Sequence, residues 1–254
     1  MREFLDISQF LGMPGRASAH AADIDLMMSL VHWLMLLLFI GWGAYFIYVL
    51  IRFRASNNPV ASYEGADGKY SRYQEIAVIL AETTLLVGFA LPLWGFIKND
   101  FPAAQDAPFV VNVVAEQFAW NIHYPGPDGE FGARAPELID VIRNPVGLDA
   151  NDPAGDDDVV TVNELHLPVD RPVILNLSSK DVIHSFGVPE LRVKQDIIPG
   201  LVIPIWFQPN LEGEYEIACA QLCGLSHYRM RGFVTVESQT AVDAFLTDMA
   251  GGAQ

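Results

Sequence analysis

Cysteine is nearly absent from this 254-residue chain: there are two, too few for a small fold stapled by several disulfides. Basic residues are scarce as well, 15 Lys and Arg against 31 Asp and Glu, for a formal net charge of −16. Nucleic-acid binding needs clustered cations against phosphate, and that balance argues against it. No internal repeat or low-complexity tract stands out. Disorder is excluded too, because hydrophobic residues make up 51% of the chain and such a composition can bury a core.

Charge is also missing locally. Residues 26–51 contain no Asp, Glu, Lys or Arg. At about 1.5 Å per residue a helix over this run reaches about 39 Å, enough to cross a hydrocarbon core of about 30 Å with some tilt. Trp33, Trp42, Tyr45 and Tyr48 suit the interfaces, and Arg52 and Arg54 close the run. Residues 76–97 form a second run whose one ionisable group is Glu82, ending at Lys98-Asn99-Asp100. A pair of buried core helices is the alternative, but soluble core helices are rarely so long and uninterrupted. The first run far exceeds a signal-peptide core and no small-residue cleavage pattern follows it, so it is expected to be retained.

Arg52, Arg54, Lys69 and Arg72 lie between the runs, whereas only Arg2 and Arg16 precede them. The positive-inside rule then places the loop in the cytoplasm and both termini outside. In a bacterium that predicts a multi-pass protein of the inner (plasma) membrane with a periplasmic C-terminal domain, in contact with membrane lipid. Glu75 and Glu82 are two helical turns apart and share a face. They read either as proton-path groups facing a partner subunit, or as an interfacial Glu75 and a neutral, hydrogen-bonded Glu82.

Nearly all the net negative charge falls in residues 98–254. Short β-rich runs there (109–114, 118–124, 172–177, 201–207, 213–218 and 231–237) are separated by Pro, Gly, Asn and Asp, the pattern of an all-β sandwich or barrel. Residues 144–158, with Asn-Pro, Asp-Pro and three consecutive aspartates, read as an exposed loop insertion, and 241–250 as a terminal helix. The predicted organisation is an N-terminal segment 1–25, a two-span hairpin 26–97 and a β domain 98–254.

One stretch concentrates chemistry: Cys219-Ala220-Gln221-Leu222-Cys223-Gly224-Leu225-Ser226-His227-Tyr228-Arg229-Met230. Soft sulfur with imidazole selects copper or zinc, and the thioether favours copper, because zinc rarely takes Met. A single-copper electron-transfer site uses one Cys, two His and a weak axial Met, so the second Cys points to two coppers bridged by two thiolates. A further ligand has to come from another strand, and His184, in an apolar setting between strands, is the best placed. His123 and His166 lie beside acidic or exposed-looking residues and read as surface histidines. A disulfide would make His227 and Met230 coincidental, and a zinc site of two Cys and two His would leave Met230 without a role.

The spacing Cys-x-x-x-Cys-x-x-x-His-x-x-Met, the upstream histidine and the two spans resemble subunit II of the haem-copper cytochrome c oxidases, which carries the dinuclear copper centre Cu(A). His184-Ser185-Phe186-Gly187-Val188-Pro189-Glu190-Leu191 and the following Lys194-Gln195-Asp196-Ile197-Ile198-Pro199-Gly200 are similar to the family's equivalent segment. The resemblance covers essentially the whole chain and implies a cupredoxin β-sandwich behind the transmembrane hairpin. It implies that Cys219 and Cys223 bridge both coppers, that His184 and Met230 complete one, that His227 completes the other, and that Gln221 offers its backbone carbonyl. The implied role is the electron-accepting subunit of a terminal oxidase. Electrons would come from a c-type cytochrome and pass to haem in a catalytic subunit that reduces oxygen and pumps protons.

The chain departs from the family's commonest pattern in several places. Gln221 stands where a glutamate helps hold magnesium, so the magnesium site loses its carboxylate. Phe118 stands where a tryptophan usually receives electrons, with Trp120 retained close by, and the usual Trp-Thr after Glu75 is missing. No Cys-x-x-Cys-His occurs, so no c-type haem is fused to this chain. The acidic domain suits a basic donor, with Asp196, Glu212 and Glu214 as docking candidates. A quinol oxidase subunit would lack the ligands, and a nitrous-oxide reductase would be soluble with a large further domain. The alternative kept open is the copper subunit of a copper-dependent nitric-oxide reductase, whose metal loop would look alike.

Overall fold

The structure, a computed structural model, describes residues 2–60, 63 and 68–251. It separates into two compact units, one holding the long helices up to Phe96, the other the β domain from Ile97 onward together with Pro14–Ala22.

Ala21–Arg52 and Lys69–Asn99 are both long and apolar enough to cross a membrane. Each helix runs past its apolar core, because end residues such as Asp23 and Arg72 still make backbone hydrogen bonds. The second contains a π-helical stretch, Leu86–Ala90. Large apolar side chains such as Leu37, Phe39, Phe89 and Trp94 point outward, the arrangement a helix adopts when lipid or another subunit is its solvent. Glu75 and Glu82 are both exposed on the second helix.

Among the described residues the β domain has ten strands: β1 Phe109–Glu116, β2 Ala119–Tyr124, β3 Val159–Val162, β4 Glu164–Pro168, β5 Val173–Ser179, β6 His184–Val188, β7 Val193–Ile197, β8 Ile203–Phe207, β9 Gly213–Cys219 and β10 Arg231–Glu237. They form two five-stranded sheets, ordered β3-β2-β1-β5-β8 and β4-β10-β9-β6-β7. Most pairings are antiparallel, with β1–β5 and β10–β4 parallel. Alternation at period two sends Val111, Val113 and Ala115 from β1, and Val173, Leu175 and Leu177 from β5, into the shared core. Trp120, Tyr124, Leu165, Phe186, Ile217 and Val234 fill it from the remaining strands.

Every β-rich run read from the sequence overlaps a strand, with 118, 172 and 201–202 falling outside, but β3, β4, β6 and β7 were not among those runs. Their sequences (VVTV, ELHLP, HSFGV, VKQDI) are short and mix polar residues into the alternation, so pairing partners rather than local pattern define them.

Two expectations need correction. His123 is not a surface histidine: its side chain is wholly enclosed with that of Asp158, Nε2 to Oδ2 at 2.7 Å. Residues 144–158 are not simply an exposed loop, because Val146 is buried and Asp158 anchors the segment under the sheet. Asp158 also accepts from the Gly132 and Gly126 amides at 2.9 and 3.3 Å, so its charge is met by donors rather than water. His166 is half-buried, paired with Glu237 at 2.7 Å and stacked on Phe245 of the C-terminal helix Gln239–Gly251. Residues 14–22 add a segment the sequence did not assign to this domain. Ala17 is buried and its N–H donates to Glu190 C=O at 2.9 Å, while Ser18 Oγ donates to Leu191 C=O at 2.7 Å.

Candidate metal centre

β9 and β10 are antiparallel neighbours, and the connection between them is the sulfur-rich stretch. Pairing of Ala218 with Arg231, and the Cys219 N–H donating to Met230 C=O at 3.3 Å, close the neck of this loop. Cys219 therefore ends one strand while Met230 immediately precedes the other. β6 lies on the opposite side of β9, with Phe186 opposite Cys219 and the Ala220 N–H donating to Ser185 C=O at 2.9 Å. That register sets His184, the first residue of β6, against the loop.

The donor atoms converge. Cys219 Sγ lies 3.8 Å from Cys223 Sγ and 3.9 Å from His184 Nδ1. Cys223 Sγ lies 3.6 Å from His227 Nδ1 and 3.7 Å from Met230 Sδ. The Gln221 carbonyl oxygen is 3.2 Å from Cys219 Sγ, while its side chain is exposed. The ligand atoms of His184, Cys219 and Cys223 all lie within 4.8 Å of one another. Both thiols are free, at a separation well beyond the roughly 2.05 Å of a disulfide.

This donor set fits copper. Two thiols, two imidazole nitrogens, a thioether and a carbonyl form a soft, mixed S/N group suited to it. His184, Cys223 and Met230 are buried, whereas Cys219 and His227 are half-buried. The site is thus largely dry on the core side and reachable from outside.

Protons stand where metal would bind. Burial by itself would raise the Cys219 thiol, but hydrogen bonds from His184 and from loop amides outweigh it and bring it down to about 6. Cys223 is pushed up to about 11 by burial and by the negative charge of Cys219. Burial pulls the His184 imidazole down, yet its hydrogen bonds and charge contacts with Cys219 and Asp181 leave it raised overall. A metal ion binding to these thiols and this imidazole would displace whatever protons they carry.

Three positioning groups had no signal in the sequence pattern. Asp181 Oδ1 accepts from His184 Nε2–H at 2.8 Å, which turns Nδ1 toward the sulfurs. Gln117 lies in the β1–β2 turn and reaches both Asp181 and Cys223. Gly224 has φ +139, a backbone state that favours glycine.

The remaining sequence-predicted residues are scattered. Trp120 is fully buried, its ring centroid 6.3 Å from that of His184 and 5.7 Å from that of Phe186, so it offers no face to a partner. Phe118 is half-buried against the loop at Gly224. Asp196 is opposite Ser185 in the β6–β7 pair and bonded to Lys194 at 3.0 Å. Glu214 lies near the start of β9, about 17 Å along the strand from Cys219, and Glu212 lies beyond it. Leu222, Leu225 and Tyr228 are exposed by 77%, 97% and 84%, so the loop presents apolar tips around the metal ligands.

Residues 109–238 match the family model for cytochrome c oxidase subunit II, periplasmic domain. The alternative cytochrome c oxidase subunit 2 of Bradyrhizobium diazoefficiens is 33% identical over 224 residues, covering 88% of this chain and 79% of that one. The cytochrome c oxidase subunit 2 of Cereibacter sphaeroides is 29% identical over 245 residues, covering 87% and 77%. Among solved structures, the periplasmic domain of subunit II of cytochrome oxidase from Bradyrhizobium japonicum shares 24% identity, covers 57% of this chain and 94% of that chain, and gives a TM-score of 0.42.

Proposed function

Because the chain belongs to the cytochrome c oxidase subunit II family, we propose that its β9–β10 loop, with His184, holds a dinuclear copper centre that receives electrons for the oxidase. The chain is a membrane-anchored subunit of an oxygen-reducing haem-copper oxidase, with a Cu(A)-type cupredoxin domain outside the membrane. The observation that carries the finer reading is the convergence of both thiols, both Nδ1 atoms and the Met230 thioether at 3.6–3.9 Å.

In this reading Cys219, Cys223, His184, His227, Met230 and the Gln221 carbonyl would hold the copper pair, which would supply one-electron redox chemistry. When bound, such a pair would accept one electron at a time from a c-type cytochrome and yield it to haem in the catalytic subunit. The protein's own part is to hold the ligands still. Asp181 fixes the His184 ring, the antiparallel neck fixes Cys219 against Met230, and the core beneath keeps water from Cys223 and Met230. Rigid ligands keep geometric change small between oxidation states, which favours fast transfer. The exposed Leu222, Leu225 and Tyr228 supply an apolar contact area beside the ligands, the composition of an interface centre.

Gln221 presents an amide where magnesium would need charge, so no role is assigned to that ion. The arginine and lysine placement between the spans supports a cytoplasmic loop, which in a bacterial inner membrane would put the β domain in the periplasm. Glu75 and Glu82, exposed on one helix, are proton-path groups only if a partner subunit covers them. No observation favours a nitric-oxide-reducing partner, since the matched relatives are oxidase subunits.

Copper titration of the purified full chain tests this reading. Two coppers per chain with a purple mixed-valence spectrum are expected. Cys219→Ser should abolish the spectrum, and Met230→Leu should shift it with less loss of metal. One copper with a blue spectrum, or none, refutes the dinuclear centre.

A further inference from the structure

The metal ligands come from two segments far apart in sequence, β6 with His184 and the loop with Cys223, and one residue outside both bonds to each side. The Gln117 backbone N–H donates to Asp181 Oδ2 at 2.7 Å, and the other oxygen of that carboxylate accepts from His184 Nε2. The Gln117 side chain donates from Nε2 to Cys223 C=O at 2.5 Å. Gly224 independently reports how close this approach is. A Cβ there would stand 2.7 Å from Gln117 Nε2 and 3.1 Å from Phe118 Cζ, on a backbone at φ +139.

We propose that Gln117 is a positioning residue of the metal centre, holding the His184 segment and the Cys223 loop against a single turn so that their donor atoms stay at metal-accepting separations. Fixing the Cys223 carbonyl fixes the backbone from which its sulfur hangs, and fixing Asp181 fixes the ring of His184. Both anchors sit on the turn between β1 and β2, two strands bound into the opposite sheet, so the two ligand segments share one rigid reference. The loop's own neck bond, Cys219 N–H to Met230 C=O, leaves the Cys223–Gly224 stretch without another such tie to the opposite sheet among the described hydrogen bonds. The proposal rests on the copper reading above.

The test uses the full-length chain as wild type, Gln117→Met, which keeps shape but cannot donate, and Gly224→Ala, which displaces the amide. Copper titration should give the same stoichiometry with about tenfold weaker binding and a shifted visible and EPR signature in both variants. In the metal-free chain, amide exchange at residues 220–224 should quicken by about fivefold. Wild-type affinity, spectrum and exchange in Gln117→Met would overturn the proposal. So would a lower melting temperature with affinity and spectrum unchanged, which is what an ordinary structural bond gives. If the wild type itself takes up no copper pair, the proposed function fails, and the exchange measurement still decides whether the tether exists.

Discussion

Replacing Asp158 with Ala should separate the stability of the β domain from its metal chemistry. The carboxylate is enclosed and accepts from His123 Nε2 at 2.7 Å, the Gly132 amide at 2.9 Å and the Gly126 amide at 3.3 Å. The Gly126 and Gly132 amides lose their acceptor, and so does His123, whose other nitrogen faces Asn112 at 3.3 Å inside the sheet. Leaving buried donors without an acceptor costs about 1–3 kcal/mol. For a domain of this size each kcal/mol lowers the melting temperature by about 2–4 °C, so a drop of about 2–12 °C is expected.

His123 lies three residues beyond Trp120 on β2, about 10 Å further from the metal ligands, so copper stoichiometry should not change. pH supplies a second readout. Burial pushes His123 below the ordinary imidazole value; Asp158 pulls it up and Arg134 pulls it down, and the net shift is downward. The unfolded chain therefore gains a proton first as pH falls through about 6.5, and stability present above that point declines until the lowered folded value is passed. His123→Gln should flatten this slope. Thermal unfolding followed by circular dichroism, with copper measured on the same samples, decides the matter. A cost below about 1 kcal/mol, or loss of copper from a still-folded domain, refutes the reasoning.

Asp181→Asn keeps an acceptor beside His184 but removes its charge, and copper affinity measured by competition should fall about tenfold; an unchanged affinity would show that the carboxylate does not orient the ring. In the metal-free chain at pH 8, iodoacetamide should label Cys219 well before Cys223, because one thiol is brought down to about 6 and the other pushed up to about 11; equal labelling by peptide mass spectrometry contradicts this. Asp196→Lys should slow donor reduction more than Glu212→Lys or Glu214→Lys. Asp196 lies one position from His184 in the β6–β7 register, whereas Glu214 is about 17 Å along β9 from Cys219, beyond a Debye length of about 8 Å; stopped-flow rates at two salt concentrations rank them.

The proposed ligand set could be read from the sequence because four of its side chains fall within one loop. Cys219, Cys223, His227 and Met230 need only a hairpin neck to meet, and a strand ending at Cys219 followed by one starting at Arg231 supplies it. His184 was legible by chemistry rather than by pattern, as a histidine in an apolar run. The alternation of Val111, Val113 and Ala115 likewise announced β1 without help from its partners. What holds the ligands was not legible, because those contacts join residues with no sequence relation: Gln117 to Asp181, Gln117 to Cys223, His123 to Asp158. The error on His123 has the same origin. Neighbouring polar residues made it look solvated, but β2 is covered by β3 and by the segment ending at Asp158, which no local rule reveals. A site made of one loop and one distant strand can therefore be named from its chemistry, while its rigidity is a property of the packed sheets. Rigidity is what limits rearrangement during electron transfer, so the residues hardest to read from sequence are the ones that set how well the readable ones work.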